Sequence, residues 1–202
     1  AVGQLSRLKA DLLVYDFMDD VTVNRALGSF YLRAHRQLLR RANLVTATSE
    51  RLAEQAAEVN SRVLLVPNGV DYQHFATPPA SCPADLLAIR RRGLPVIGYY
   101  GAFGDWIDFT LLRTLAAQGY SIVLIGADFL LNVRRHGLHR TSNVYWLGPR
   151  PYHDLPAYLH YFDVAIIPFT PGPIAASTSP VKLFEYMAAG VPVVTTAMRE
   201  CR

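Results

Sequence analysis

The sequence predicts an α/β protein built on doubly wound parallel sheets, and two observations carry that expectation. Short apolar or β-branched runs alternate with helical patterns along all 202 residues, with no internal repeat and no low-complexity tract. That alternation is the rhythm of strand–helix–strand units. The runs are also continuous rather than polar–apolar alternating, as strands buried on both faces require.

Strands are expected at 11–15, 44–48, 62–66, 95–100, 121–125, 143–147, 164–168 and 191–195, each a short run bounded by turn residues. Helices are expected at 27–41, 49–59, 108–118, 151–161 and 180–189. Two of them have legible starts: Ser49 stands as an N-cap, and Asp108 precedes the apolar residues Leu111, Leu112 and Leu115.

The domain joint is placed after Val66, where Pro67-Asn68-Gly69-Val70-Asp71 makes a turn and 76–83 brings three prolines among small residues. Residues 1–70 then read as the C-terminal part of a first domain, 71–82 as a linker, and 83–202 as a second domain expected to be truncated at its own C-terminus. The three strands before the joint are too few for a separately stable doubly wound domain. The chain opens on Ala1-Val2-Gly3 with no initiator Met or leader, so the natural N-terminus is expected upstream.

Composition narrows the function classes. No apolar run reaches the eighteen or so residues of a membrane span, so a soluble chain is expected. Cys82 and Cys201 are far apart and lack metal-ligand spacing, which argues against zinc or a disulfide framework and fits a reducing cytosol. The net charge is +4, and lysine occurs only at Lys9 and Lys182. Such a balance suits anionic small molecules or a phospholipid surface rather than nucleic acid.

The most informative segment is Ser177-Thr178-Ser179-Pro180-Val181-Lys182-Leu183-Phe184-Glu185, continued to Gly190. Ser179 reads as an N-cap, Pro180 as the first helical residue and Gly190 as the stop. The free N–H groups and positive dipole end of such a helix favour an anion. With the hydroxyls of Ser177, Thr178 and Ser179, the backbone at Pro180 and Val181 and the Lys182 ammonium, a diphosphate site is expected. Val181, Phe184 and Ala188 are expected to face the core, and Lys182, Glu185 and Ala189 a crevice. Glu185, one turn behind, is the candidate acceptor for two ribose hydroxyls.

The run from Ser179 to Val194 resembles the signature of family 4 retaining glycosyltransferases of GT-B fold, the group 1 glycosyl transferases, whose two domains are Rossmann-type. Val66-Pro67-Asn68-Gly69-Val70-Asp71 looks like that family's interdomain connection, and Val144-Tyr145-Trp146-Leu147-Gly148 with 155–163 looks like its nucleobase-side strand and helix. The resemblance implies an acceptor-side first domain and a donor-binding second one. It also implies transfer of a hexose from a nucleoside-diphosphate sugar to a glycan, lipid-linked or polymer acceptor, with retention. Glu185 would correspond to the second Glu of the family's E-x7-E element. Ser177 stands where the first would be, and Tyr100-Gly101-Ala102-Phe103 replaces the Gly-Arg and Lys that clamp the diphosphate in many members, so only Gly101 carries over. The fragment alone is expected to be inactive.

Other residues complete the expectations. Asp16 and Asp19, after the first strand, are the catalytic candidates on the acceptor side; their spacing is not read as a metal site, and no metal or cofactor beyond the donor is expected. Gly148 and Arg150 mark the nucleobase side. Arg33, Arg36 and Arg40, joined by Arg41, line one helical face that could rest on anionic lipid, giving a cytoplasmic protein peripheral on the inner membrane face. Two other functions stay open: a non-catalytic sugar-nucleotide-binding module, and an NAD-dependent oxidoreductase using the glycines at 98, 101 and 104, although their spacing departs from the dinucleotide fingerprint.

Overall fold

The computed structural model describes residues 10–23 and 28–202. In chain order the elements begin with β1 (Val14–Phe17), α1 (Ser29–Arg41), β2 (Leu44–Ala47), α2 (Glu50–Ala57) and β3 (Val63–Leu65). Next come α3 (Tyr72–Ala76), α4 (Ala84–Arg90), β4 (Val96–Tyr100), α5 (Phe109–Ala117), β5 (Ser121–Ile125), α6 (Asn132–Arg135) and β6 (Val144–Gly148). The remainder holds α7 (Leu155–Leu159), β7 (Val164–Ile167), α8 (Pro173–Ser177), α9 (Val181–Ala188) and β8 (Val193–Thr195). Every expected strand is present; Lys9 and the expected helix start at Leu27 lie outside the described residues.

The chain divides into two compact units. The first runs to Asn68 and takes in Pro171–Ser179 and Met198–Arg202; the second comprises Gly69–Thr170 and Pro180–Ala197. The sequence assigns all of 83–202 to one domain, but hydrogen bonds across more than a hundred residues return two segments to the first unit. Ser49 Oγ donates to the Ser177 carbonyl at 2.8 Å, Asn68 Nδ2 donates to the Ser179 carbonyl at 2.7 Å, and Arg199 pairs with Glu50 and Glu54 at 2.7 Å. No local pattern signals such contacts. The stretch read as a linker likewise begins with α3, capped by the Asp71 carboxylate on the His74 N–H at 3.1 Å and anchored by the buried Phe75.

The first unit is a parallel sheet in the order β1-β2-β3. Phe17, Leu39, Val45, Ala47, Leu52 and Ala56 pack together as its core. Ser49 caps α2 as expected, accepting from Leu52 N–H at 3.3 Å.

The second unit is a five-stranded parallel sheet in the order β6-β5-β4-β7-β8. The chain winds outward from β4 through β5 to β6, then returns to the other side of β4 for β7 and β8. The winding therefore reverses between β4 and β7, and in open parallel sheets ligands bind at the C-terminal ends of the strands flanking that point. β4 and β5 are buried at every position. Asp108 caps α5 as expected, through Leu111 N–H at 2.8 Å, and the helix buries Phe109, Leu112 and Ala116, with Leu111 and Leu115 half-buried.

Candidate functional site

The first turn of α9 differs from its sequence reading. Pro180 is itself the N-cap, with φ −78° and ψ 110°, and the helix starts at Val181. An extended Pro180 leaves Ser179 one residue too early to cap, and the Ser179 side chain is buried. The hydroxyls before it turn back on α8: Ser177 Oγ donates to the Pro173 carbonyl at 2.9 Å and Thr178 Oγ1 to the Ile174 carbonyl at 2.7 Å. A hydroxyl has one proton to donate, so in this arrangement these two close α8 instead of pointing a donor at an anion.

The buried face of α9 also differs. Val181 is 40% exposed, whereas Glu185 and Tyr186 are the buried positions. The helix docks on β4 through polar heads: Tyr100 Oη donates to Glu185 Oε2 at 2.7 Å, and Tyr100 N–H donates to Tyr186 Oη at 3.3 Å. The Tyr100 and Tyr186 rings meet edge to face, 4.9 Å apart at 87°. These bonds hold adjacent residues of α9 against the sheet, so a 3.6-residue apolar stripe is not what orients the helix.

Lys182 extends toward the end of β4. Its Nζ lies 5.8 Å from the Tyr99 ring centroid, within the range where a cation is drawn to an aromatic face. It lies beside Gly101, where an added Cβ would run into Lys182 Cε and come within 2.9 Å of both Lys182 Nζ and Tyr99 Oη. Gly101 has φ +140°, donates to the Ile125 carbonyl at 2.8 Å, and turns its own carbonyl against Gly126 so closely that a Cβ there would overlap it. Only glycine meets both requirements.

The two charges shape each other. Burial pulls the Lys182 ammonium below its usual pKa, and Glu185 partly restores it. Burial pushes the Glu185 carboxyl up, while the Tyr100 hydrogen bond, Lys182 and His74 draw it back. Burial, followed by Tyr186 and Glu185, drives the Tyr100 hydroxyl far above the usual tyrosine range. Tyr100 is thus a neutral donor at any physiological pH.

Sequence reasoning missed Tyr100 and an aromatic pair. His74 stacks on Tyr152 at 5.1 Å and 25°; burial and then the Glu185 charge push the Tyr152 hydroxyl up. The signals existed: a tyrosine ending a buried strand needs a partner for its hydroxyl, and Asp71 stands in N-cap position before Tyr72-Gln73-His74.

The remaining candidates have surroundings of their own. Gly148, with φ +73°, ends β6 and accepts from Gly126 N–H at 3.0 Å. The Arg150 guanidinium is committed to Asp85 at 2.7 Å and to Tyr158 Oη at 2.8 Å. In the first unit β1 extends to Phe17, so Asp16 lies within the strand rather than after it, accepting from Thr46 Oγ1 at 2.7 Å. Asp19 is exposed. Its neighbour Asp20 is buried and accepts from Thr22 N–H and Gln55 Nε2, both at 2.9 Å. Arg33, Arg36, Arg40 and Arg41 are exposed on α1, whose His35 and Leu39 turn inward. Gly98, needed by a dinucleotide reading, is closed by the Phe162 ring, which a Cβ there would strike. Among the described residues no helix is long and apolar enough to cross a membrane.

Residues 95–202 match the family model described as glycosyl transferases group 1, and the chain belongs to that family. It is 30% identical over 170 residues to the Bacillus subtilis (strain 168) protein named teichuronic acid biosynthesis glycosyltransferase TuaH, covering 81% of this chain and 42% of that protein. It is 28% identical over 182 residues to the Escherichia coli K12 protein named colanic acid biosynthesis glycosyltransferase WcaL, covering 86% and 44%. The chain thus spans less than half the length of these relatives. Among solved structures, Anabaena HepE in complex with UDP-glucose matches with a TM-score of 0.69 at 22% identity over 93% of this chain and 54% of that one. Sucrose-phosphate synthase from Thermosynechococcus elongatus matches with a TM-score of 0.69 at 18% identity, over 97% and 53%. The fold is the GT-B-like α/β fold with parallel sheets.

Proposed function

We propose that this chain supplies the nucleotide-sugar side of an enzyme that moves a hexosyl unit from a nucleoside-diphosphate sugar to a glycan, lipid-linked or polymer acceptor, with retention of configuration. The observation that carries the reading is the convergence of Lys182 and Glu185, one turn apart on α9, on the C-terminal end of β4. The names of TuaH and WcaL support a glycan acceptor, and the UDP-glucose complex of HepE supports a uridine donor.

In this reading Gly101, the first turn of α9 and Lys182 receive the diphosphate, while Glu185 accepts from the ribose hydroxyls. The bond between the anomeric carbon and the diphosphate oxygen breaks, the acceptor oxygen bonds to that carbon, and the acceptor proton is released. Fixed positive groups stabilise the charge that grows on the departing diphosphate. The Ser177 and Thr178 hydroxyls, expected to meet the diphosphate, are spent on the Pro173 and Ile174 carbonyls instead. Gly148 and Arg150 mark the base side, with Arg150 bracing its loop through Asp85 and Tyr158. Asp16 and Asp19 are the acceptor-side catalytic candidates, and the arginines of α1 the contact with an anionic membrane at the cytoplasmic face.

A second reading, binding without turnover, is favoured by Ser177, which replaces a carboxylate and spends its hydroxyl proton inside α8. Titration with UDP and GDP tests the site: Lys182→Met and Glu185→Gln should each weaken binding by about tenfold, or about 1.4 kcal/mol. Unchanged affinity in both variants would sink the assignment. Release of free sugar from a nucleotide-sugar by the full-length protein would exclude the second reading.

A further inference from the structure

Glu185 is buried, and its carboxylate already holds one hydrogen bond before any donor arrives. That bond comes from Tyr100, the last residue of β4 and the one immediately before Gly101. Tyr100 is gripped in turn: it is 3% exposed, its ring packs on Tyr186, and its N–H bonds Tyr186 Oη at 3.3 Å. One residue of the sheet therefore fixes two consecutive residues of the helix, one with its side chain and the other with its backbone.

We propose that Tyr100 is a positioning residue for nucleotide recognition, holding Glu185 in the rotamer and ionised form that accept a ribose diol. The inference rests on the reading of Glu185 as the ribose acceptor. An ionised carboxylate offers about four lone-pair positions. Tyr100 occupies one on Oε2, which leaves Oε1 and the other lone pair of Oε2 for two ribose hydroxyls. A protonated carboxyl would turn one oxygen into a donor and lose that match. Desolvation favours the protonated form; the Tyr100 hydroxyl opposes it most among the neighbours, ahead of Lys182 on the same helix and His74 on α3. The other titratable groups facing this carboxylate, Tyr152 and Tyr186, are both pushed up by burial and by Glu185 itself, and so stay neutral.

The test compares UDP and GDP with their 2′-deoxy forms on the intact protein, on Tyr100→Phe and on Tyr186→Phe, as the pH is lowered from neutrality toward the ordinary carboxylate range, since burial holds the Glu185 carboxyl above its usual value. Both substitutions keep the ring and remove one hydroxyl from the same contact between β4 and α9. The intact protein should prefer the ribo forms by about tenfold, the loss expected when a hydrogen bond to a charged group is removed. In Tyr100→Phe that preference should fade at a higher pH than in the intact protein and be smaller throughout. Tyr186→Phe should keep the original preference and profile even where it lowers stability. Tyr100→Phe with unaltered preference and pH profile, or both variants changing alike, would overturn the positioning role. No ribo preference in the intact protein would instead overturn the ribose reading beneath it.

Discussion

Lys182 occupies the space that any side chain at Gly101 would need: Nζ stands 2.9 Å from where the Gly101 Cβ would be, and the ammonium reaches over the Tyr99 ring. The end of β4 and the first turn of α9 are therefore matched by a missing side chain on one and a long cation on the other. Changing either partner should be felt at the other.

Gly101→Ala brings both a strained φ of +140° and a collision with Lys182. A loss of about 1–3 kcal/mol in urea denaturation is expected from strain and overpacking. UDP affinity should fall with it, because the ammonium must move. A variant as stable and as tight as the parent would show that the ammonium position does not matter.

Removing both charges should stabilise the unliganded protein. Glu185 has a raised folded pKa, so its favourable contribution exists at low pH and is lost as pH rises through that value. Lys182 has a lowered folded pKa, so stability is recovered as pH rises through it toward the unfolded lysine value. Between these limits both groups are charged and partly desolvated. The double variant Lys182→Met/Glu185→Gln should therefore gain about 1 kcal/mol near neutral pH, with the difference shrinking as pH falls toward the ordinary glutamate value of about 4 and as it rises toward the ordinary lysine value of about 10. Thermal unfolding against pH checks it; a difference independent of pH would contradict it.

Ser49 carries two bonds on one buried oxygen, accepting from Leu52 N–H and donating to the Ser177 carbonyl. Ser49→Ala loses the cap and leaves a carbonyl unmet, and should cost about 1–2 kcal/mol by chemical denaturation. Ser49→Gly, which preserves cap geometry but not the bond to Ser177, should lose a comparable amount only if that distant bond matters.

Arg150 is engaged with Asp85 and Tyr158, and the ion pair is about one-third exposed. Arg150→Ala should lower stability by no more than about 1 kcal/mol, given solvent screening. UDP affinity should change less than about twofold, well short of the tenfold that 1.4 kcal/mol represents. A tenfold loss in calorimetric titration would show instead that the guanidinium leaves Asp85 to meet the nucleotide.

The outward face of α1 combines Arg33, Arg36, Arg40 and Arg41 with Phe30, which is 60% exposed. Co-sedimentation should show binding to phosphatidylglycerol vesicles but not to phosphatidylcholine vesicles. Each arginine replaced by glutamine should weaken it by about 1 kcal/mol, and added salt should do the same. Equal binding to both vesicle types would remove the electrostatic surface from the reading.

Much of this was legible in the chain. Strands such as Ser121–Ile125 announce themselves because burial on both faces demands an unbroken apolar run. Ser49 and Asp108 cap as read because capping is set within three residues. Glu185 and Lys182 were legible as candidates because their positions behind a Ser-Pro turn suit an anion and a diol. Tyr100 was hidden inside an apolar strand, and His74 inside a presumed linker, because neither carries a meaning until its partner is known. Ser179 was misread as a cap because Ser-Pro fits a helix start in two registers, and only the extended Pro180 distinguishes them.

The sequence by itself determined the alternation of strands and helices, the glycine at 101 and the pair of charges at 182 and 185. These follow from periodicity, backbone freedom and residue type, all local properties. Tertiary structure alone decided which face of α9 is buried, where the protons of Ser177 and Thr178 go, that Arg150 is already paired, and that the 171–179 segment joins the first unit. Each of those depends on satisfying buried polar groups. A buried hydroxyl, carboxylate or carbonyl takes whatever partner the fold brings within hydrogen-bond distance, often a hundred residues away.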